Sequence, residues 1–277
     1  MIIDTHSHLN FSAFDKDRDK VIKNCLNNNI NMIIVGVNYA TSKKAVEISE
    51  KYKKGVYSAI GLHPLSVETN AKKQNARNAK IPENTSEIKF DYSKYKKLGA
   101  NSKKNVAIGE IGLDYYHKPK AKSEFPEFKK KQKQILTEQI DLAQELNLPI
   151  IFHCRMAHND FLEILSAPKY KNIKAVIHSF TGNSEQAEKY LKKGFYLGFN
   201  GIIFKLNLKA IIKKIPLNKI LLETDCPFLV PPKVKDKRNQ PIYIEYVARE
   251  IAKIKNISFE KICEASYENA KNLFLKI

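Results

Sequence analysis

A chain of 277 residues with 43% hydrophobic and 28% charged residues can bury a large core, which excludes wholesale disorder and leaves room for one large barrel or two ordinary domains. No apolar run reaches the length of a membrane span, and no charged stretch followed by an apolar core opens the chain, so neither a membrane anchor nor a secretory signal is expected. The formal charge of +19 suits a phosphate-bearing partner, but only five of the 48 basic residues are arginine, and lysine filling solvated faces accounts for much of the excess.

Short apolar or β-branched runs recur along the chain, each followed by an amphipathic or charged stretch. They are Ile2–Leu9, Asn31–Val37, Val56–Pro64, Val106–Asp114, Pro149–Arg155, Lys174–Phe180, Phe195–Gly201 and Lys219–Pro227. Between them the spacing predicts helices near 15–28, 41–53, 126–146, 157–166, 184–192 and 207–214. Pro126 suits a first helical position, and Asn183 with Gln186 three residues on reads as a capping box. Alternating strands and helices imply parallel strands with helical crossovers, and eight such units imply a single-domain α/β fold, a closed (β/α)8 TIM barrel over 1–277. The runs are apolar throughout, as expected of parallel strands covered on both faces. Segments 241–254 and 258–275 read as closing helices. Residues 66–105 are too long for one connection and rich in Lys, Asn, Ala and Ser; they read as a basic insertion, either a lid over the barrel mouth or a tolerated surface loop. The four cysteines, Cys25, Cys154, Cys226 and Cys263, lack C-x-x-C spacing, which fits a reducing compartment and a cytoplasmic protein.

In such a barrel the active site lies at the C-terminal ends of the strands. The first run carries His6 and His8, the third ends at His63-Pro64, and the fourth carries Glu110, Asp114, Tyr115 and Tyr116. The fifth ends at His153-Cys154-Arg155, the sixth at His178, and the eighth at Glu223-Thr224-Asp225. An ionisable group inside an apolar strand is costly unless it is paired or binds metal. Each of these alone reads as a satisfied core residue; together His6, His8, Glu110, His153, His178 and Asp225 form the donor set that two divalent ions need. Mixed nitrogen and oxygen donors suit Zn, Mn, Ni or Fe and accommodate Mg less readily.

The same residues carry a resemblance. Asp4-Thr-His-Ser-His8, Gly61-Leu-His-Pro64, Gly109-Glu-Ile-Gly-Leu-Asp-Tyr-Tyr116, His153-Cys-Arg155, His178-Ser-Phe-Thr-Gly182, Glu223-Thr-Asp-Cys-Pro227 and Arg238-Asn239 are similar, in order, to the motifs of the TatD family of metal-dependent deoxyribonucleases in the amidohydrolase superfamily. The resemblance implies hydrolysis of DNA phosphodiesters, often as a 3′→5′ exonuclease on single strands or 3′ ends, by a monomer using two divalent ions (Mg, Mn or Zn), with the same six residues as metal ligands. The chain departs from the family pattern in the long basic segment, in Met156 where an acid is common, and in Gln240 where Glu is usual.

Charge then assigns the roles. Glu110 is expected to bridge both ions, and Asp225 to orient the attacking water and accept its proton; His6, His8 and His178 mainly hold metal, and His153 reads as either a ligand or a leaving-group contact. His63 and Arg155 are candidates for gripping phosphate oxygens, with a capped turn before Pro64 as the competing role for His63. Asp114 and Glu223 read either as partners fixing histidine tautomers or as salt-bridge residues. Tyr115 and Tyr116 read as base-stacking or interior residues, and His117 and His158 as solvent or helix-start residues. The basic, proline-stiffened loop 230–239 reads equally as tracking a nucleic-acid backbone or as a solvated loop. Two rivals stay open: another metallohydrolase cleaving an amide or ester of a small molecule or aminoacyl-tRNA, and a protein that holds nucleic acid without cleaving it.

Overall fold

The computed structural model describes residues 1–67 and 89–275. Eight strands form one sheet in chain order. They are β1 (Ile2–Ser7), β2 (Ile30–Val35), β3 (Val56–Ile60), β4 (Asn105–Asp114), β5 (Ile150–Arg155), β6 (Ala175–Ile177), β7 (Tyr196–Phe199) and β8 (Ile220–Leu222). Every neighbouring pair is parallel. The last strand returns to the first through a bridge between Ser7 and Cys226, with Asp225 N–H donating to His6 O at 2.9 Å and His8 N–H to Cys226 O at 2.8 Å. This is the expected TIM barrel.

The helices among the described residues are α1 (Arg18–Asn27), α2 (Tyr39–Glu50), α3 (Tyr92–Ala100), α4 (Phe125–Glu145), α5 (His158–Ile164), α6 (Ser184–Lys192), α7 (Lys209–Lys214), α8 (Ile244–Lys255) and α9 (Phe259–Leu273). The capping box of α6 is formed: Asn183 Oδ1 accepts from Gln186 N–H and Gln186 Oε1 from Asn183 N–H, both at 2.9 Å. Asn38 and Thr41 make a second one at α2 that the sequence pattern did not single out.

Two expectations need correction. Part of the 66–105 segment is not loop, because α3 supplies the crossover between β3 and β4. Its anchor is Tyr95, fully buried, and Asp91 caps it by accepting from Lys94 N–H. One buried aromatic in a lysine-rich stretch leaves little helical periodicity to read. Residues 68–88, where the lid reading also falls, lie outside the described residues. The sixth and eighth strands are also shorter than their apolar runs. Ser179 and Asp225 adopt left-handed φ of 46° and 57°, which turns the chain off the sheet soon after Ile177 and Leu222.

Strand alternation divides the core in two. One group of buried side chains, including Ile2, Met32, Ile108, Phe152, Ile177 and Leu222, packs with the helices. The other, Ile3, Ile33, Ala59, Ala107, Ile151, Val176 and Leu221, fills the barrel interior and is closed below by Leu273 and Phe274.

Candidate metal centre

Period two carries the interior apolar residues of three strands directly to polar ones at the mouth. Ile151 is followed on the same face by His153, Val176 by His178, and Leu221 by Glu223 and then Asp225. In β1 and β4 plain alternation would send His6 and Glu110 outward, away from the face of Ile3 and Ala107. Both strands shift register at that place: Asp4 pairs with Met32 but Ser7 with Ile34, and Gly109 pairs with Ile151 but Ile111 with Phe152. The one extra residue in each reverses the parity and aims His6 and Glu110 into the mouth.

Four of the other five expected ligands surround Glu110. Its Oε2 lies 3.3 Å from His6 Nε2 and 3.9 Å from His8 Nε2. Its Oε1 lies 2.8 Å from His153 Nδ1, 3.4 Å from His63 Nε2 and 3.8 Å from His178 Nε2. Asp225 Oδ1 is 3.4 Å from His8 Nε2 and 3.9 Å from His178 Nε2. The carboxylate of Glu110 therefore faces one set of imidazoles with each oxygen. His6 Nε2 and His8 Nε2 stand only 3.2 Å apart, and the rings of His6 and His178 stack at 3.5 Å.

Tautomers follow from the partners. Val35 O, 2.9 Å from His8 Nδ1, can only accept, so Nδ1 carries the proton and Nε2 turns its lone pair inward. His63 is the opposite case. Its Nδ1 accepts from Leu65 N–H at 3.0 Å, leaving the proton on Nε2, so it presents a donor to the site. His63 thus caps the turn before Pro64 and also faces Glu110. Burial, reinforced by His178, lowers His6 to about 4, so its ring is neutral at pH 7. Burial also opposes charge on His153 and His178, but it is outweighed: hydrogen bonds to Asp114 and Glu110 raise His153 to about 9, and Glu223 with Glu110 raises His178 to about 10. Against their own desolvation, Glu110 is held well below the usual carboxylate range by His63, His6 and His178, and Asp225 is lowered by His8 and His178. The inward lone pair of His8 and the neutral ring of His6, beside the ionised carboxylates of Glu110 and Asp225, are a donor set that fits a divalent cation, and the same carboxylates that favour a proton on His153 and His178 favour a cation in its place. The group His6, His8 and Asp225 has its donor atoms within 4.8 Å of one another, as do two further groups around His178 and His153.

The supporting residues are well defined. Asp114, fully buried, accepts from Tyr116 N–H, His117 N–H and His117 Nδ1 at 2.9–3.0 Å and contacts His153 Nε2 at 3.2 Å. Glu223 Oε2 accepts from Ser179 N–H at 3.0 Å and lies 2.8 Å from His178 Nδ1 without the alignment of a hydrogen bond. A Cβ on Gly198 would meet Glu223 Oε1 at 1.9 Å, so glycine there is a condition of the carboxylate's position. Tyr115 is interior, its hydroxyl donating to Asp160 at 2.9 Å, whereas Tyr116 is 54% exposed. Arg155 is not in contact with the cluster; its guanidinium lies 3.9 Å over the Tyr116 ring. His158 starts α5 as expected but is buried, 2.8 Å from Tyr190 OH and 3.3 Å from Cys154 Sγ. In the loop 230–239, Arg238 is engaged by Asp17 through both carboxylate oxygens and is not free for a nucleic acid.

Sequence reasoning missed four positioning groups. Asp4, buried and raised to about 8 by desolvation against its hydrogen bonds from Thr224, ties β1 to the end of β8. Asn200 ends β7, buried, and accepts from Ile202 N–H. Gln139 pins Leu62 through both its amide groups, and Gln132 accepts from Asp114 N–H at 2.9 Å. A polar residue on the apolar face of a helix was the available signal for both glutamines.

Residues 3–275 match the sequence pattern of the family described as TatD related DNase. The metal-dependent hydrolase YabD of Bacillus subtilis is 38% identical over 278 residues, with 99% of each chain covered. A 3′-5′ ssDNA/RNA exonuclease TatD of Cronobacter sakazakii is 31% identical, covering 99% of this chain and 98% of that one. Among solved structures, a TatD homologue from Escherichia coli superposes with a TM-score of 0.80 at 25% identity, covering 99% and 98% of the two chains.

Proposed function

The chain belongs to the TatD related DNase family, and from that premise we propose that it removes nucleotides from the 3′ end of single-stranded DNA by hydrolysing phosphodiester bonds with two divalent cations, Mg, Mn or Zn. The observation that carries this reading is the division of Glu110, whose two oxygens face two different sets of imidazoles. His6, His8 and Asp225 would hold one cation and His153 with His178 the other, with the Glu110 carboxylate between the two groups. When bound, such cations polarise a phosphoryl oxygen and bring the pKa of water toward neutrality.

The chain's own groups do the rest. Asp225 has a side chain 17% exposed, against 5% for Glu110, so it is the carboxylate that solvent reaches. Ionised at neutral pH, it orients the attacking water and takes its proton. His63 turns its Nε2 proton toward the cluster, where it suits a non-bridging phosphate oxygen. Asp114 and Glu223 hold the rings of His153 and His178 from behind. Among the described residues no helix is long and apolar enough to cross a membrane. The four cysteines are buried and free, which suits a reducing compartment such as the cytoplasm, and a single-domain monomer completes the reading.

The test is cleavage of labelled single-stranded and duplex oligonucleotides with and without Mg²⁺ or Mn²⁺. Metal-dependent shortening from the 3′ end is expected. Glu110→Gln and Asp225→Asn are expected to lower turnover on the order of 10³-fold with unchanged circular dichroism. Near-normal rates in either remove the assigned role, and inertness toward DNA alongside turnover of amides, small esters or aminoacyl-tRNA selects the rival hydrolase.

A further inference from the structure

The described surface exposes five large hydrophobic side chains, and two of them, Tyr116 and Met156, sit just beyond the ends of neighbouring strands β4 and β5. Asp114 and Arg155 are paired across those strands, so the residues that follow emerge side by side at the rim. Met156 is 71% exposed and held at a left-handed φ of 54°. An apolar side chain in that backbone region, facing water, serves neither packing nor a turn preference.

Tyr116 is equally deliberate. Its N–H donates to Asp114 Oδ1 at 3.0 Å, and the same carboxylate contacts His153, which contacts Glu110. The backbone at Tyr116 is thus tied to the catalytic cluster by two intervening side chains. Arg155 lies against it at 3.9 Å, and no carboxylate among the described residues pairs with that guanidinium. A guanidinium stacked on an aromatic ring and left without an acid keeps its in-plane donors available for an anion, while the ring keeps a planar surface.

We propose that Tyr116 and Arg155 form the platform that selects single strands: an unpaired nucleobase next to the scissile phosphate stacks on Tyr116, and Arg155 holds the phosphate beside it. Met156 extends the apolar rim. The inference rests on the nuclease reading and adds the residues that discriminate strand state. In a duplex each base is already stacked and paired, so only a splayed base can present its face to the ring. Arg155 accordingly acts on the strand leading to the site and not on the reacting phosphate, which explains why it stands apart from the imidazole cluster.

The test compares KM and kcat for a single-stranded oligonucleotide and its counterparts bearing one abasic residue at successive positions from the 3′ end. In the wild-type enzyme one abasic position is expected to raise KM about tenfold, the effect of one lost base–aromatic contact. Tyr116→Ala is expected to raise KM about tenfold on the intact strand, chiefly without a matching fall in kcat, and to lose the abasic penalty; Tyr116→Phe keeps both. Arg155→Ala is expected to flatten the dependence of log KM on log salt by about 0.7, one phosphate contact on a single strand. Equal KM for Tyr116→Ala and wild type, or an abasic penalty that survives in the variant, overturns the platform while leaving the nuclease reading in place. Failure of the wild-type protein to cleave any DNA brings both down.

Discussion

The floor and the mouth of the barrel are built by the same strands and have opposite chemistry. At the floor, Ile3, Ile33, Ala59, Ala107, Ile151, Val176 and Leu221 pack against one another and against Leu273 and Phe274. At the mouth, the same faces present His6, Glu110, His153, His178 and Asp225, groups that solvate poorly where they lie and repel or attract one another strongly. The change happens within two residues of one strand, as from Ile151 to His153. The floor can therefore be mutated for stability and the mouth for chemistry nearly independently, because their side chains belong to different layers.

That separation can be broken experimentally. The largest expected effect is at the floor: Ile151→Ala, removing a fully buried side chain, is expected to destabilise the fold by about 3 kcal/mol. Urea unfolding measures it, and turnover per folded molecule should stay within a fewfold of wild type. A collapse of turnover in the folded variant would mean that floor and mouth are coupled. Next is Gly198→Ala, at the seam between the layers. The added Cβ falls 1.9 Å from Glu223 Oε1 and must displace the carboxylate beside His178. Loss of such a supporting contact is expected to weaken metal affinity by about 30-fold, roughly 2 kcal/mol, read by competition with a chelating dye. Unaltered affinity would make Glu223 a structural residue only.

The smallest effect sharpens the comparison outside both layers, at the His158–Tyr190–Cys154 cluster. Burial, aided by repulsion from His153, lowers His158 to about 4 from its ordinary 6.5. With the folded value below the unfolded one, the unfolded chain binds the extra proton between those two pH values. The contribution of neutral His158 is therefore complete above about pH 6.5 and is lost as pH falls toward 4. Between pH 7 and pH 5 the loss amounts to about 2 kcal/mol at most. Denaturation of wild type and His158→Gln at the two pH values should show a smaller pH dependence in the variant; equal dependence would place the titration elsewhere.

Much of this architecture is legible in the chain because alternation and composition carry it. The eight apolar runs mark the strands, and in β5, β6 and β8 the ligating types follow the interior apolar residues at the period of a strand. What alternation cannot reveal is a register shift. Ile3 and His6 have opposite parity in the sequence, as do Ala107 and Glu110, and only the slipped pairing with β2 and β5 brings each pair to one face. Strand ends were overrun at Ile177 and Leu222 because left-handed Ser179 and Asp225 are conformations that no propensity announces. The helix α3 was hidden because Tyr95 alone anchors it deeply among lysines. Arg155 and Arg238 show a further limit: the same residue type reads as a phosphate contact in both, yet Arg155 lies over the Tyr116 ring with no acid beside it among the described residues, whereas Arg238 is held by Asp17. Charge is visible in a sequence, and the partner that neutralises it is not.

The central claim is that Glu110 is shared by two cation sites. Equilibrium dialysis of the metal-stripped protein against Mn²⁺, with bound metal counted per chain, tests it without reference to turnover. The account predicts two ions on the wild-type chain and a loss of tight binding at both sites in Glu110→Ala, with Asp225→Asn weakening one. Two ions retained tightly by folded Glu110→Ala, or a single ion on the wild-type protein at saturation, would contradict it.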